Sequence, residues 1–309
     1  MKNHRLNGVD GLDLISMYLF WGGSYVAVKV FVEYIPPIVG TSLRYFIAFT
    51  ILAASLAVYR DRIELPNRRE VAGAALTGAL FLGLGTGLLT LAAPHIEASL
   101  AALIFATVPA FLAVFEFAFA KSFNKRLVLA GLLGILGVAI LFADGLLHAR
   151  EESTLGGMSL ALAAALSWTT ASYFFGSIPK PSSTRWSLLI QTLVAWSFLA
   201  VVSLAAGQWS GNDLAEVPLS GWEALLFAAV LGSIVAYGSF QRLLRRQPPE
   251  VASTYTFVNP IVATLAAAVV LGEKPSALRL AAGASIVGVA CYLAIKGSGS
   301  TDAGGGQNR

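Results

Sequence analysis

Charged residues are scarce in this sequence. They make up 12% of the 309 residues, whereas hydrophobic residues make up 56%. A soluble globular protein carries about 25% charged residues, so this composition excludes an ordinary water-soluble fold. The net charge of +4 does not indicate nucleic-acid binding either. The basic residues lie in short stretches between apolar runs and do not follow one polar face.

Cysteine and histidine are also rare. The single cysteine, Cys291, lies within an apolar run, which excludes a disulfide framework within one chain. The three histidines, His4, His95 and His148, are far apart in the sequence, so we expect neither a metal site nor a cofactor. No cluster of His, Asp, Glu or Cys residues near one membrane interface indicates a catalytic centre, and an enzyme is not expected.

The sequence lacks a nucleotide-binding loop. Residues 83–87 read Gly-Leu-Gly-Thr-Gly, but Leu88 replaces the third glycine of the dinucleotide pattern. Within a helix, Gly83 and Gly87 instead form a pair suited to close helix packing. The same packing role is expected for Gly131, Gly134 and Gly137. Transport driven directly by ATP is therefore not expected.

Long apolar runs dominate what is present. Runs of roughly 18 to 23 residues, each long enough to cross a bilayer, are separated by polar residues. They predict an all-α integral membrane protein with ten transmembrane helices, at residues 12–32, 38–59, 71–92, 98–119, 127–147, 158–177, 187–207, 222–243, 251–271 and 278–295. Residues 1–11 form a polar N-terminal segment. The tail at residues 297–309, rich in Gly and Ser, is expected to be disordered.

The loop charges predict the orientation of the chain. Sixteen Lys and Arg residues lie on the side that holds both termini, and three lie on the other side. Because Lys and Arg are retained in the cytoplasm, both termini are predicted to be cytoplasmic, in a multi-pass plasma membrane such as the bacterial inner membrane.

An internal repeat divides the chain into two halves. A shift of 151 residues aligns residues 99–144 with residues 250–295 without a gap, and ten positions match, including Pro109 with Pro260. A shift of 147 brings Trp21 onto Trp168. The predicted units are residues 12–147 and 158–296, with an external linker at residues 148–157. Because each unit has five helices, the second is expected to be inverted in the membrane, as in many secondary transporters.

Several short motifs in this sequence resemble those of a known family. They are Trp21-Gly22-Gly23-Ser24 followed by Lys29, Arg44 in helix 2, Pro109 in helix 4, and Pro260 followed by Leu271-Gly272-Glu273-Lys274. Their order resembles that of the EamA-type carriers of the drug/metabolite transporter superfamily, over roughly residues 12–296. The resemblance implies a ten-helix transporter and, commonly, export of amino acids, other metabolites or toxic compounds. The halves differ, since the counterpart of Arg44 is Gln191.

Polar residues within the predicted helices are candidates for the transport site. Pro109 and Pro260 fall near the middle of helices 4 and 9, where the missing N–H permits bending, so we expect hinges there. The alternative is a fixed structural kink, with neighbouring helices bonding to the carbonyl groups that the prolines leave without a partner. Tyr255, Thr256 and Asn259 precede Pro260 and are candidate substrate-binding residues, although they could simply bond adjacent helices.

Aromatic and basic residues supply a second set of candidates. Trp21, Tyr25 and Lys29 share one face of helix 1, and Tyr237 belongs to a similar face of helix 8. Together with Arg44, they would suit an amphipathic solute, and Lys29 or Arg44 could meet a substrate carboxylate. The alternatives are aromatic packing and, for Lys29, a side chain that reaches the outer headgroups.

Glu116 lies about two turns beyond Pro109 on the same face of helix 4. A charge at the bilayer centre costs about 2.5 to 3.5 kcal/mol, so this residue needs a partner, water or a position near the boundary. If it is functional, we expect it to carry a coupled proton or to attract an amine.

These features favour a secondary transporter of a small metabolite, embedded in the lipid bilayer, with protons as the candidate coupling ion. A carrier or flippase for a lipid-linked substrate and a non-transporting assembly subunit remain as alternatives. The sequence leaves the substrate, the direction of transport and a homodimer open.

Overall fold

A computed structural model describes residues 6–59, 64–92, 95–96, 98–120, 124–141, 143, 154–210, 214–272 and 274–298. These residues form an all-helical bundle, which confirms the all-α part of the predicted fold class. Its helices are α1 (Gly8–Phe31), α2 (Pro37–Tyr59), α3 (Arg68–Ala92), α4 (Ala98–Phe105, Val108–Phe115 and Glu116–Ala120), α5 (Lys125–Leu141), α6 (Thr154–Phe174), α7 (Thr184–Ala205), α8 (Leu219–Arg246), α9 (Pro249–Ala252 and Tyr255–Val270) and α10 (Ala277–Ser298).

The helices lie within a few residues of their predicted positions. Among the described residues, eight of them are long and apolar enough to cross a membrane. The other two are α5 and α6, so the count of ten spans stays a prediction. Residues 1–5 of the predicted N-terminal segment, residues 148–153 of the linker and residues 299–309 of the tail lie outside the described residues.

The first helix begins four residues earlier than predicted because a capping box fixes its start. The backbone N–H of Asp10 donates to the side chain of Asn7 at 2.8 Å, and the N–H of Asn7 donates to the carboxylate of Asp10 at 3.2 Å. These bonds satisfy donors that a helix N-terminus otherwise leaves unpaired.

Two helices contain a widened π-helical segment near the middle. The segments are Ala79–Thr86 in α3 and Ala228–Ala236 in α8, and they start 149 residues apart, at positions 79 and 228. Side chains from other helices bond to carbonyl groups there. The Ser167 hydroxyl donates to Leu80 O at 2.8 Å, and the Trp21 indole donates to Gly232 O at 2.9 Å. Such segments often occur at functional sites.

Glycines allow α5 to approach its neighbours closely, as predicted. A methyl group on Gly131 would lie 3.1 Å from Ala110 of α4, and one on Gly137 would lie 3.1 Å from the carbonyl of Gly283 in α10. A methyl group on Gly134 would overlap the ring of Phe257 in α9. The backbone of α5 therefore packs directly against three helices.

Replacing Gly134 by Ala should destabilise the protein, because the Phe257 ring must move away from the added methyl group. Overpacking of this kind costs about 1 to 3 kcal/mol. Gly288→Ala is the matched control, since a methyl group there meets no atom within 4 Å. Thermal unfolding in detergent should show a lower midpoint for Gly134→Ala alone. Equal midpoints for the two variants would refute the close-packing interpretation.

Candidate functional site

Six aromatic rings from five helices meet inside the bundle. We call them the aromatic cluster: Trp21, Phe81, Trp168, Tyr237, Phe240 and Tyr255. The ring centroids of Trp21 and Tyr255 are 4.5 Å apart, and those of Trp21 and Trp168 are 5.8 Å apart in an edge-to-face arrangement. The two tryptophans related by the predicted repeat are therefore in direct contact.

Several polar atoms in and beside the aromatic cluster have no hydrogen-bond partner among the described residues. They include the indole nitrogen of Trp168 and the hydroxyl groups of Tyr237 and Tyr255, all on buried side chains. The nearest polar groups to the two hydroxyls are those of Gln241 for Tyr237 and Trp168 for Tyr255, and neither pair forms a hydrogen bond. A buried polar group without a partner is unfavourable, so these atoms are suited to contacting a polar ligand.

Arg44 of α2 extends its guanidinium group towards α8. The side chain is buried, and Nε donates to the Ser233 hydroxyl at 2.7 Å. Gly232 makes room for it, since a methyl group at this position would come within 2.8 Å of a guanidinium nitrogen. A guanidinium has five N–H donors. Within the described residues, the bond to Ser233 is the one hydrogen bond that Arg44 makes.

A cavity of about 30 Å³ lies between Arg44 and the aromatic cluster. A void of this size holds a water molecule or two. Its lining includes Trp21, Arg44, Tyr45, Thr86, Ser233 and Tyr237. A cation, hydroxyl groups and aromatic faces thus line one small space between α1, α2, α3, α6 and α8.

Three of the predicted binding residues, Trp21, Arg44 and Tyr237, line this cavity. Tyr255 does not line the cavity, but its ring contacts that of Trp21, which does. Tyr25 is partly buried and lies near Tyr255, whereas Lys29 is exposed and lies outside the cavity. The structure therefore brings Arg44, and not Lys29, to the aromatic cluster.

The polar residues of α9 lie outside the cavity lining. The Thr256 hydroxyl donates to Ser253 O at 2.8 Å, which satisfies a carbonyl at the break in α9 after Ala252. Asn259 is buried, and its side-chain oxygen has no partner among the described residues. Thr256 therefore bonds within its own helix, whereas the Asn259 oxygen is left without a partner among the described residues.

The two prolines occupy different positions relative to the breaks in their helices. Helix α4 is interrupted at residues 106–107, and Pro109 lies in the first turn of the segment that follows. Helix α9 is interrupted at residues 253–254, whereas Pro260 lies inside Tyr255–Val270. Both helices are therefore discontinuous, but the breaks do not superimpose under the shift of 151 residues.

Four charged residues and one glutamine, which sequence reasoning missed, join α1 to the end of α8. We call this group the α1–α8 ion-pair cluster: Asp10, Asp13, Arg242, Arg246 and Gln247. Arg242 donates to Asp13 at 2.6 Å, and Arg246 donates to Asp10 at 2.8 Å and also to Asp13. Gln247 completes the cluster with a 2.9 Å bond to Asp10. The two carboxylates are 0% and 4% exposed, so the cluster is closed to solvent on the α1 side.

The signal for this cluster was present in the spacing of the residues. Asp10 and Asp13 are three residues apart, and Arg242 and Arg246 are four apart, so each pair lies on one face of its helix. As loop charges, the arginines indicate only the topology of the chain. A second missed residue is Glu250, which is 6% exposed at the start of α9.

Comparison with known proteins agrees with this architecture. The model of the EamA-like transporter family matches residues 12–143 and again residues 155–295. A solved crystal structure superimposes with a TM-score of 0.73 at 16% sequence identity, covering 92% of this chain and 96% of that one. At this identity the structural likeness shows the fold alone.

Two curated relatives carry transport names. "Uncharacterized inner membrane transporter YedA" of Escherichia coli strain K12 is 31% identical over 268 residues, covering 86% of this chain and 84% of the relative. "Probable amino-acid metabolite efflux pump" of Salmonella typhimurium strain LT2 is 27% identical over 303 residues, covering 93% and 95%. The chain is thus a helical membrane transporter. It belongs to the EamA-like transporter family.

Proposed function

We propose that this protein is a secondary transporter that exports a small amphipathic metabolite bearing a carboxylate, such as an amino acid, by alternating access. The observation that carries the proposal is the position of Arg44. It is a buried cation with unused donors, and it faces a small cavity beside six aromatic rings. A guanidinium binds a carboxylate with two parallel hydrogen bonds, while the rings accept the apolar part of the same molecule.

The proposed mechanism includes the predicted inverted repeat, and matching contacts in the two halves support it. Arg44 of α2 bonds to Ser233 of α8, while its counterpart Gln191 of α7 bonds to Thr77 of α3 at 2.9 Å. Each half therefore sends a polar side chain from its second helix to the third helix of the other half. The two matches of the family model and the paired π-helical segments support the same duplication. Transporters of this design bind substrate between the halves.

The test is flux in liposomes that contain only this protein. A panel of amino acids, their uncharged amide analogues and organic cations should show transport of compounds with a free carboxylate and an apolar side chain. Transport of none of them into or out of protein-containing vesicles would argue against the proposal. Preference for a lipid-linked compound would favour a flippase.

The proposal places both termini in the cytoplasm of a cell with an inner membrane, the location that the name of one relative gives for that relative. Reporter proteins fused after Arg126 and Arg246 should then report cytoplasm. Those fused after Pro36 and Arg150 should report the opposite side, because loops rich in Lys and Arg stay inside. A cytoplasmic signal at Arg150 would contradict the predicted inversion.

The prolines are proposed as hinges of the moving helices. Pro109→Ala and Pro260→Ala should restore an N–H and stiffen α4 and α9, because the missing hydrogen bond makes bending easier. We expect normal expression, little change in substrate affinity and slower turnover in vesicles. Thr256→Val and Asn259→Ala serve as comparison variants and should weaken binding first. Proline variants with wild-type rates would show that the two residues are packing features only.

A further inference from the structure

Three buried polar side chains form a hydrogen-bonded chain across α8, α7 and α3. We call it the amide chain: Gln241, Gln191 and Thr77. Gln241 donates through Nε2 to Oε1 of Gln191, and Gln191 donates through its own Nε2 to the Thr77 hydroxyl at 2.9 Å. Tyr237, which lines the cavity, is one turn before Gln241 on the same face of α8. The amide chain therefore ends one helical turn from the cavity.

The amide chain fixes the orientation of Gln241. The Thr77 hydroxyl has one proton, which it donates to carbonyl groups of its own helix at 3.0 Å, so it accepts the bond from Gln191. Gln191 thus turns its NH2 group to Thr77 and its carbonyl oxygen to Gln241, which answers with its own NH2 group. A methyl group on Gly78 would lie 2.6 Å from Cα of Gln191, so the backbones of α3 and α7 hold this arrangement in place. The carbonyl oxygen of Gln241 is left over.

Two neighbouring polar atoms lack a partner at this end of the amide chain. Neither Oε1 of Gln241 nor the hydroxyl of Tyr237 has a hydrogen-bond partner among the described residues, and the two side chains are 0% and 1% exposed. Each is the other's nearest polar neighbour on α8, but they form no hydrogen bond. A buried carbonyl oxygen without a partner is unfavourable, and its partner must be a donor. The site therefore lacks a donor.

This site is remote from the place where Arg44 would hold a carboxylate. Arg44 bonds to Ser233, and Ser233 and Gln241 are eight residues apart on the face of α8 that also carries Tyr237. Eight residues of helix rise about 12 Å, and helical side chains lean towards the N-terminus of their helix, so the two sites are separated by a distance on the order of 10 Å. One extended small molecule can reach both.

The donor that suits this site is uncharged. Its acceptors are an amide oxygen and a phenol, and both are neutral near pH 7. The carboxylates that contact this end of α8, Asp10 and Asp13, are paired with Arg246 and Arg242. An ammonium group would leave water here without a countercharge, which is far more costly than the transfer of a hydroxyl or an amide N–H.

We infer that Gln241 and Tyr237 form a second substrate subsite, which binds a hydroxyl or amide N–H at the end of the substrate remote from its carboxylate. The inference rests on the proposed transport function and narrows its substrate class to molecules that are polar at both ends and apolar between them. Arg44 and its counterpart Gln191 then serve opposite ends of one substrate, the first by direct contact and the second by orienting Gln241.

Matched amino acids test the second subsite by binding. Affinities are measured in detergent by quenching of tryptophan fluorescence, because Trp21 and Trp168 line the cavity. 6-Hydroxynorleucine differs from norleucine by a terminal hydroxyl and should bind about tenfold more tightly. Serine should gain nothing over alanine, because its hydroxyl is close to the carboxylate. Equal affinities for norleucine and 6-hydroxynorleucine, or tighter binding of lysine than of 6-hydroxynorleucine, would overturn the inference.

Substitution of Gln241 connects this preference to the residue. Gln241→Met keeps the size of the side chain without its carbonyl group, so 6-hydroxynorleucine should bind no better than norleucine, whose affinity should stay unchanged. A general structural defect would weaken both compounds. Thr192→Val is the matched control, since it removes a buried hydroxyl that bonds within its own helix, to Leu188 O at 2.8 Å, and the preference should persist. An undiminished preference in Gln241→Met would refute the subsite.

A second variant covers a failure of Gln241→Met to fold. Gln241→Glu keeps the shape of the side chain and adds a negative charge in alkaline buffer, so lysine should become the tighter ligand. An unchanged order of affinities would overturn the inference. Flux of the same compounds in vesicles separates the two proposals. Binding with the terminal-hydroxyl preference but without flux would refute the transport function alone, whereas flux without the preference would refute the second subsite alone.

Discussion

Replacing Arg44 by Gln is expected to lower kcat/KM for carboxylate-bearing substrates by about 10- to 100-fold and to leave organic cations almost unaffected. A hydrogen bond to a charged group contributes about 1.5 to 3 kcal/mol, and about 1.4 kcal/mol corresponds to a factor of ten. Arg44 is positioned to make this contribution because it is buried beside the cavity and uses one donor on Ser233.

The structure supplies the controls for this variant. Lys29→Gln removes a cation from the same bundle but from an exposed position outside the cavity, so the carboxylate preference should persist. Arg44→Lys keeps the charge without the planar fork and should recover only part of the activity. Ser233 also bonds to Ala228 O at 3.2 Å, so α8 keeps a hydrogen bond when Arg44 is replaced. Equal losses for anionic and cationic substrates would assign Arg44 a structural role.

Asp13→Asn should open the end of the protein that holds the α1–α8 ion-pair cluster. Asp13 accepts from both arginines of the α1–α8 ion-pair cluster, so loss of its charge weakens two contacts at once. The guanidinium groups are 42% and 34% exposed, so solvent screening reduces the effect to about 1 kcal/mol. That energy shifts a two-state equilibrium about fivefold. The closed arrangement should lose population by this factor.

Thiol labelling measures the opening directly. Ser239→Cys places a thiol at a position that is 1% exposed. Once the native thiol is removed by Cys291→Ser, the labelling rate of this thiol measures access of the reagent from the end that holds the α1–α8 ion-pair cluster. In this background, Asp13→Asn should raise the labelling rate about fivefold. Glu33→Gln changes an exposed carboxylate beyond the opposite end of α1 and should have no effect. Unchanged labelling in Asp13→Asn would show that the cluster does not hold this end closed.

The sequence identified the positions of the helices better than it identified the contacts between them. Hydrophobic runs located the helices to within a few residues, and polar residues at mid-helix included three that line the cavity, Trp21, Arg44 and Tyr237. Lys29 shares a helix face with Trp21 by spacing, yet it lies two turns away and is exposed. Spacing along one helix cannot show where that helix ends relative to a cavity.

Contacts between helices were the part that sequence reasoning could not supply. Glu250 read as the first residue after a loop, and its burial depends on α4, α6 and α10 packing around the start of α9. The same holds for Asp10, which is a capping residue by sequence and an ion-pair partner by structure. The second role of Asp10 comes from Arg246 of α8, 236 residues away in the sequence.

The glycine contacts of α5 determine which parts of the bundle can move. Where Gly137 meets Gly283, backbone lies against backbone, and a methyl group on either residue would lie 3.1 or 2.9 Å from the carbonyl oxygen of the other, so little room is left for displacement. Helices α5 and α10 are therefore expected to move together as one rigid unit. The proline-containing helices α4 and α9 both pack against this unit, through Ala110 and Phe257. A rotation of one proposed half relative to the other would then pivot about the α5–α10 unit.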